Sequence, residues 1–201
     1  MSGIALLILA AGESKRMGTP KQLLPWHDTH LLGNVIAKGM ASDVDEVIVV
    51  LGAFGDRIET RIKHSKIHVV HNPSWSLGMG TSISFGINYI EAHFPETEAV
   101  LITLTDLPLI DTDHYQQIIS QSKVTEKGII GTQYDQIIGV PALFKRNYFT
   151  ELAQLNGAVG AKSVLRKFQT DLESIISEHP FTDIDTPEAY EALVRTNSQG
   201  S

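Results

Sequence analysis

Apolar runs of strand length alternate along this chain with stretches of helical spacing, and this alternation constrains the fold more than any other feature. The runs predict β-strands at residues 4–9, 47–51, 67–71, 99–104, 129–132 and 140–144. The spacing predicts helices at residues 31–40, 56–63, 79–93, 113–122, 148–155, 162–168 and 187–195. Such alternation is typical of a mostly parallel sheet covered on both faces. We therefore expect a three-layer α/β protein whose ligands bind beyond the carboxyl ends of the strands.

The length of 201 residues suits one domain with a full core. We place that domain at residues 1–195 and expect the polar residues 196–201 to form a flexible tail. The apolar run at residues 4–11 is too short to span a bilayer and has no basic region before it. The expectation is a cytoplasmic protein that does not associate with membranes.

Charge and cysteine content exclude several classes of function. The formal net charge of −7 argues against a nucleic-acid binder, which needs a broad basic surface, although a few local cations suffice for a nucleotide site. The chain has no cysteine, which excludes disulfides, thiolate metal sites and a cysteine nucleophile.

A loop rich in small and basic residues follows the first predicted strand. The strand breaks at Ala10, Ala11 and Gly12, where small side chains let a ligand approach the backbone. This first loop (residues 10–21) then supplies the cations Lys15, Arg16 and Lys21. Backbone N–H groups and cations together favour a polyanion such as a triphosphate. The alternative is an ordinary strand-to-helix corner with a solvated basic patch.

Asp106 stands directly after the buried run at residues 99–104. A carboxylate at the end of a buried strand is unfavourable unless a partner compensates its charge. Mg²⁺ would do so, because it favours one or two carboxylates together with phosphate oxygens and water. The alternative is an aspartate that begins a turn before Pro108.

Asp183 and Asp185 form a second acidic pair close to the last predicted helix. If the segment is extended, alternation places both carboxylates on one face. The alternative is helix capping, since Asp185 or Thr186 precedes Pro187 at a predicted helix start. Both can hold, because one side chain can cap while its neighbour binds a metal.

Two glycines and two hydroxyl residues, Gly78, Gly80, Thr81 and Ser82, mark the start of another predicted helix. This composition suits the close approach of a nucleotide sugar or base. The alternative is a plain loop in which Thr81 or Ser82 caps the helix.

Together these motifs resemble the nucleotidyltransferases with a glycosyltransferase-A-like fold, and within them the molybdenum cofactor cytidylyltransferase branch. The resemblance implies that Leu9, Ala10, Ala11 and Gly12 contact a nucleoside triphosphate. It implies that Arg16 and Lys21 are catalytic and neutralise charge in the transition state. It also implies nucleotide contacts from Gly80, Ser82 and Asp106. The resemblance further associates the methyl group of Ala11 with a pyrimidine base, and hence implies CTP as the nucleotide.

The same resemblance implies a Mg²⁺ site formed by Asp106 and Asp185, with Asp183 as the second choice for the latter. It implies a molybdopterin-type cofactor as the acceptor and a molybdenum hydroxylase apoenzyme as a further partner. Val140, Ala158 and Lys162 stand where the family usually has His or Asn, Asp, and Arg. These departures keep other acceptors open.

The sequence leaves three rival functions open. The first is cytidylyl or uridylyl transfer to a sugar or polyol phosphate. The second is a non-catalytic carrier of the molybdenum cofactor. The third is a glycosyltransferase that uses Asp183 and Asp185 as its metal motif, which ranks last because such motifs stand in mid-chain.

Overall fold

The computed structural model describes residues 3–62, 66–179, 182 and 184–198. Seven strands form the central sheet, in the order β5-β4-β1-β6-β8-β7-β9, and two more form a small hairpin. The strands are β1 Gly3–Ala10, β2 Pro25–Trp26, β3 Thr29–His30, β4 Glu46–Leu51, β5 His68–His71, β6 Thr97–Leu104, β7 Ile129–Tyr134, β8 Ile137–Lys145 and β9 Leu172–Ile176. Most neighbouring strands pair in parallel, and β8 runs antiparallel to both of its neighbours.

Helices cover both faces of this sheet. They are α1 Leu31–Met40, α2 Gly55–Glu59, α3 Met79–His93, α4 Thr112–Val124, α5 Phe149–Ala153, α6 Ala161–Lys167 and α7 Pro187–Ser198. Short 3₁₀ turns lie at Lys15–Met17, Lys21–Leu23, Trp75–Leu77, Arg146–Tyr148 and Gln169–Asp171. Within the described part of the chain, none of the helices combines the length and the apolar character that crossing a membrane requires.

Alternation along β1 explains why the layers form. Leu6 and Ile8 point into an apolar cluster with α1 and α4, whereas Leu7 and Leu9 point into a second cluster with α3, α5 and α6. A strand buried on both faces reads as a continuous apolar run, as this one does. The three-layer α/β prediction is confirmed.

Several element predictions need correction. The strands predicted at residues 129–132 and 140–144 are the longer arms β7 and β8 of one hairpin, so this part of the sheet is antiparallel. The sequence reading missed β9, because this edge strand is only partly buried and lacks a clean apolar run. It also missed the two-residue strands β2 and β3, which are too short to show a period. Helix α2 ends at Glu59, earlier than predicted.

The last helix packs on the β2–β3 hairpin through a third apolar cluster. Trp26, Leu31, Ile184 and Leu193 are all buried there. The predicted cap at Thr186 is confirmed, because its hydroxyl oxygen accepts from the amide of Ala189 at 3.3 Å. Helix α7 continues to Ser198, past the predicted end at residue 195, and residues 199–201 lie outside the described part of the chain. This packing fixes the segment that carries Asp185.

A buried histidine gives the fold an expected pH dependence. His114 on α4 lies 2.8 Å from the hydroxyl of Thr132, and burial lowers its pKa. The charges of Asp111 and Glu178 act in the opposite direction, and His179 adds to the lowering. As the pH falls, the unfolded chain protonates this histidine at a higher pH than the folded protein does. The free energy of unfolding should therefore fall as the pH drops below about 6.5.

We expect His114→Gln to remove this part of the pH dependence. One such group contributes at most about 1.4 kcal/mol per pH unit. Chemical denaturation at pH 7.5 and 5.5 measures the difference, and His93→Gln, at an exposed histidine, is the matched control. A His114→Gln protein that loses as much stability as the wild type over this interval would contradict the prediction.

Candidate functional site

The loops that follow β1 and β6 meet at one edge of the sheet. These strands are parallel neighbours, with Leu9 opposite Leu104, so both chains leave the sheet side by side. A cavity of about 420 Å³ opens there. Its lining comprises residues 9–15, Lys21, Gln22, Trp75, Ser76, Gly78, Met79, Ser82 and residues 104–106. The predicted position of a ligand site beyond the carboxyl ends of the strands agrees with this geometry.

Gln22 organises the first loop. Its side-chain amide donates to the carbonyl oxygens of Ala10 and Gly12, at 2.8 and 2.9 Å. The amide of Lys21 donates to the hydroxyl of Ser14 at 3.1 Å, which closes the loop on itself. Because Gln22 occupies those two carbonyl groups, it offsets negative dipoles that would repel a bound anion. The sequence reading passed over Gln22, although its place beside Lys21 was a usable signal.

One ammonium group joins two carboxylates that are far apart in sequence. The Nζ atom of Lys21 lies 2.6 Å from Oδ2 of Asp106 and 3.1 Å from Oδ1 of Asp185. Arg16 pairs with the other oxygen of Asp185. Burial opposes the charged form of Lys21, but the ion pairs and hydrogen bonds with both aspartates outweigh it, so the pKa of Lys21 is raised. The structure therefore brings together four residues that the sequence analysis singled out, namely Arg16, Lys21, Asp106 and Asp185.

The chemistry of these carboxylates fits a divalent cation. Oδ1 of Asp106 is buried and has no hydrogen-bond partner within the described residues. Those residues contain no cluster of three or more His, Asp or Glu side chains placed to hold a metal ion alone. Mg²⁺ does not need such a cluster, because it binds through one or two carboxylates while phosphate and water supply the remaining oxygens. Asp183, the second choice for the metal, lies outside the described residues.

The second wall of the cavity is built where α3 begins. The side-chain amide of Asn72 donates to the hydroxyls of Thr81 and Ser82, each at 3.0 Å. Ser82, Trp75 and Met79 line the cavity, and of these three the sequence reading assigned a role only to Ser82, whose contact with a nucleotide stays a prediction. For Trp75 and Met79, their neighbours in the glycine motif were the available signal.

Gly80 has a packing role that the sequence did not reveal. It is absent from the cavity lining, and its amide donates to the carbonyl oxygen of Gly157 at 2.9 Å. A β-carbon at Gly80 would lie 2.5 Å from the carbonyl oxygen of Val159. Its contact with a nucleotide stays a prediction. Arg16 and Asp185 also lie outside the lining, although both join the charged network around Lys21.

A mostly parallel sheet, a basic loop after its first strand and a carboxylate that faces this loop from a neighbouring strand are typical of the nucleotidyltransferase class of enzymes. The chain belongs to one family within it, because the model of the MobA-like NTP transferase domain matches residues 6–173.

Individual relatives extend over nearly the whole chain. The molybdenum cofactor cytidylyltransferase of Escherichia coli (strain K12) is 28% identical over 191 residues, which covers 94% of this chain and 95% of that protein. Nicotine blue oxidoreductase of Paenarthrobacter nicotinovorans is 26% identical and covers 90% of this chain and 92% of its own. The solved structure of an Rv0371c homolog from Mycobacterium sp. strain JC1 superposes with a TM-score of 0.87 at 28% identity, covering 98% of both chains. Because these names describe different activities, the substrates of this chain have to be argued from its own residues.

Proposed function

We propose that this protein transfers a cytidylyl group from CTP to a molybdopterin-type cofactor, with Mg²⁺ and with release of pyrophosphate. The observation that carries the proposal is the Lys21 ammonium in contact with both Asp106 and Asp185, at the mouth of the first loop. A site that pairs a metal-binding carboxylate with a cationic phosphate loop suits a metal-bound triphosphate.

In this reaction an oxygen of the acceptor phosphate attacks the α-phosphorus of CTP. The new P–O bond forms as the bond to the β-phosphate bridging oxygen breaks, and that oxygen leaves with pyrophosphate. The attacking phosphate oxygen is already ionised near neutral pH, so no general base is required. The work of the protein is to align two anions and to compensate their charge.

The residues divide this work between them. The loop at Ala10–Gly12 admits the triphosphate close to the backbone, while Arg16 and Lys21 place positive charge beside it. Asp106 and Asp185 would hold Mg²⁺, which would supply Lewis acidity and compensate the negative charge of the triphosphate. No nucleophilic side chain takes part.

Apolar groups beside the cavity support a planar acceptor over a sugar or polyol phosphate. Leu77, Met79 and Val159 are 66%, 45% and 50% exposed. Met79 lines the cavity and lies against Gly160, the neighbour of Val159, and Leu77 stands two residues before Met79 in the chain. The hydroxyl groups of a sugar need hydrogen-bond partners that such side chains do not offer, whereas a fused ring packs well on them.

The charged network disfavours the rival function of a non-catalytic carrier. A carrier of the cofactor has no need for a metal-triphosphate site, yet Lys21 and Asp106 are both largely buried at the cavity. Burying such an ion pair costs free energy, and a carrier has no function for which it would need the pair.

Binding of the four nucleoside triphosphates, with and without Mg²⁺, tests the proposal by calorimetry. We expect CTP to bind best, only with Mg²⁺, and Arg16→Ala to weaken it by about 2 kcal/mol, or roughly thirtyfold. Arg166→Ala, at an exposed arginine on α6, is the matched control. Preference for GTP or ATP would overturn the cytidylyl assignment, and the lack of any triphosphate binding would favour the carrier.

A further inference from the structure

Asp106 stands on a short connection between β6 and α4, here called the Asp106 segment (residues 105–110). At its start the buried hydroxyl of Thr105 donates to the carbonyl oxygen of Leu9 at 3.1 Å. This bond ties the segment to the end of β1, directly before the first loop. The bond therefore holds the end of the segment that directly follows β6, next to Asp106.

Lys38 of α1 fixes the other end of the segment. Its ammonium donates to the carbonyl oxygens of Pro108 and Ile110, both at 2.7 Å. Asn34, one turn earlier on the same helix, donates to the same oxygen of Pro108 at 3.3 Å. Asp106 thus lies between two anchors, one from the sheet and one from α1.

An ammonium in this position is costly for a purely structural contact. Lys38 is partly buried, and none of the ion pairs among the described residues includes its Nζ atom. Burial lowers the pKa of Lys38, and the charge of Asp111 offsets only part of this effect. Partly buried cations are unfavourable unless their hydrogen bonds are satisfied. Both hydrogen bonds of Lys38 end on the Asp106 segment.

We propose that Lys38 is a positioning residue, which holds the Asp106 segment so that the carboxylate of Asp106 can receive the metal ion of a metal–triphosphate complex. The inference rests on the proposed function, because it takes Asp106 as a metal ligand. Groups that orient a metal ligand change metal affinity by roughly 10- to 100-fold when they are removed.

The test compares Lys38→Met, which keeps the apolar stem, with Lys38→Arg, which restores donors. Lys123→Met, at an exposed lysine on α4, is the control. The unfolding midpoint of each variant is measured with CTP and increasing Mn²⁺, and the midpoint of the same variant without ligand is subtracted. Because each variant is its own reference, a loss of stability is not mistaken for a loss of Mn²⁺ affinity. We expect Lys38→Met to weaken Mn²⁺-dependent binding roughly 10- to 100-fold, Lys38→Arg to recover part of it, and Lys123→Met to match the wild type.

A lower midpoint for Lys38→Met with unchanged Mn²⁺ affinity would overturn the inference and leave a structural role. Asp106→Asn, measured alongside, separates this failure from that of the proposed function. If Asp106→Asn keeps its affinity, Asp106 is not a metal ligand and both proposals fall. If Lys38→Met does not fold, Asn34→Ala takes its place, with a smaller loss of Mn²⁺ affinity expected and unchanged affinity as the contrary result.

Discussion

Asp106→Asn is expected to lower metal-dependent nucleotidyl transfer by roughly 10²- to 10³-fold, the scale seen when one electrostatic stabiliser of a transition state is removed. Asparagine has the same shape but no charge, so it cannot compensate a divalent cation beside the triphosphate. It also takes away the carboxylate that lies 2.6 Å from the Lys21 ammonium. The measurement is kcat/KM for pyrophosphate release with CTP, Mg²⁺ and acceptor.

The control for this variant is Asp113→Asn, which removes an exposed carboxylate in the first turn of α4. It carries the same chemical change away from the cavity and should leave the rate unchanged. Circular dichroism should show that both variants fold. Near-normal activity in Asp106→Asn would remove Asp106 from the metal site.

Gly78→Ala is expected to destabilise the protein by about 3 kcal/mol or more. Gly78 has a φ of +123°, a backbone conformation that residues with a side chain rarely adopt. A β-carbon there would lie 2.3 Å from the carbonyl oxygen of Gly157 and 2.7 Å from the amide nitrogen of Ala158. Both are backbone atoms, so the clash cannot be relieved by rotating a side chain. Chemical denaturation measures the loss directly.

Gly139→Ala is the matched control for that substitution. A β-carbon at Gly139 on β8 meets no atom within 4 Å, so its effect should stay within about 1 kcal/mol. Equal stability of the Gly78 and Gly139 variants would show that the contact between the start of α3 and residues 156–160 is looser than described.

The central strands and the two loops could be predicted because their signals are local. The run ending at Leu9 is buried on both faces, and a fully buried strand needs no partner to be recognised. Asp106 stood out because a charge directly after such a run demands compensation. Thr186 before Pro187 likewise indicated a helix start, because helix capping depends only on residues that are close in sequence.

Tertiary partners were beyond the reach of such signals. Lys21 meets residues 85 and 164 positions away, and only the resemblance to a known family joined them in advance. Lys38 reads in the sequence as a polar position on an amphipathic helix, and nothing local shows that it bonds the Asp106 segment. The antiparallel direction of β8 was not predicted. The apolar runs at residues 129–132 and 140–144 are shorter than the real strands, so the sequence did not show that a tight connection at Asp135 joins them.

The most direct test of the proposed function follows the fate of CTP labelled at the α-phosphate. The protein is incubated with this nucleotide, Mg²⁺ and molybdopterin-type cofactor, and both products are quantified. We expect one pyrophosphate for each labelled dinucleotide, with neither product formed after chelation of the metal. Intact CTP after incubation with the folded protein, or transfer that continues without a divalent metal, would contradict the proposed function.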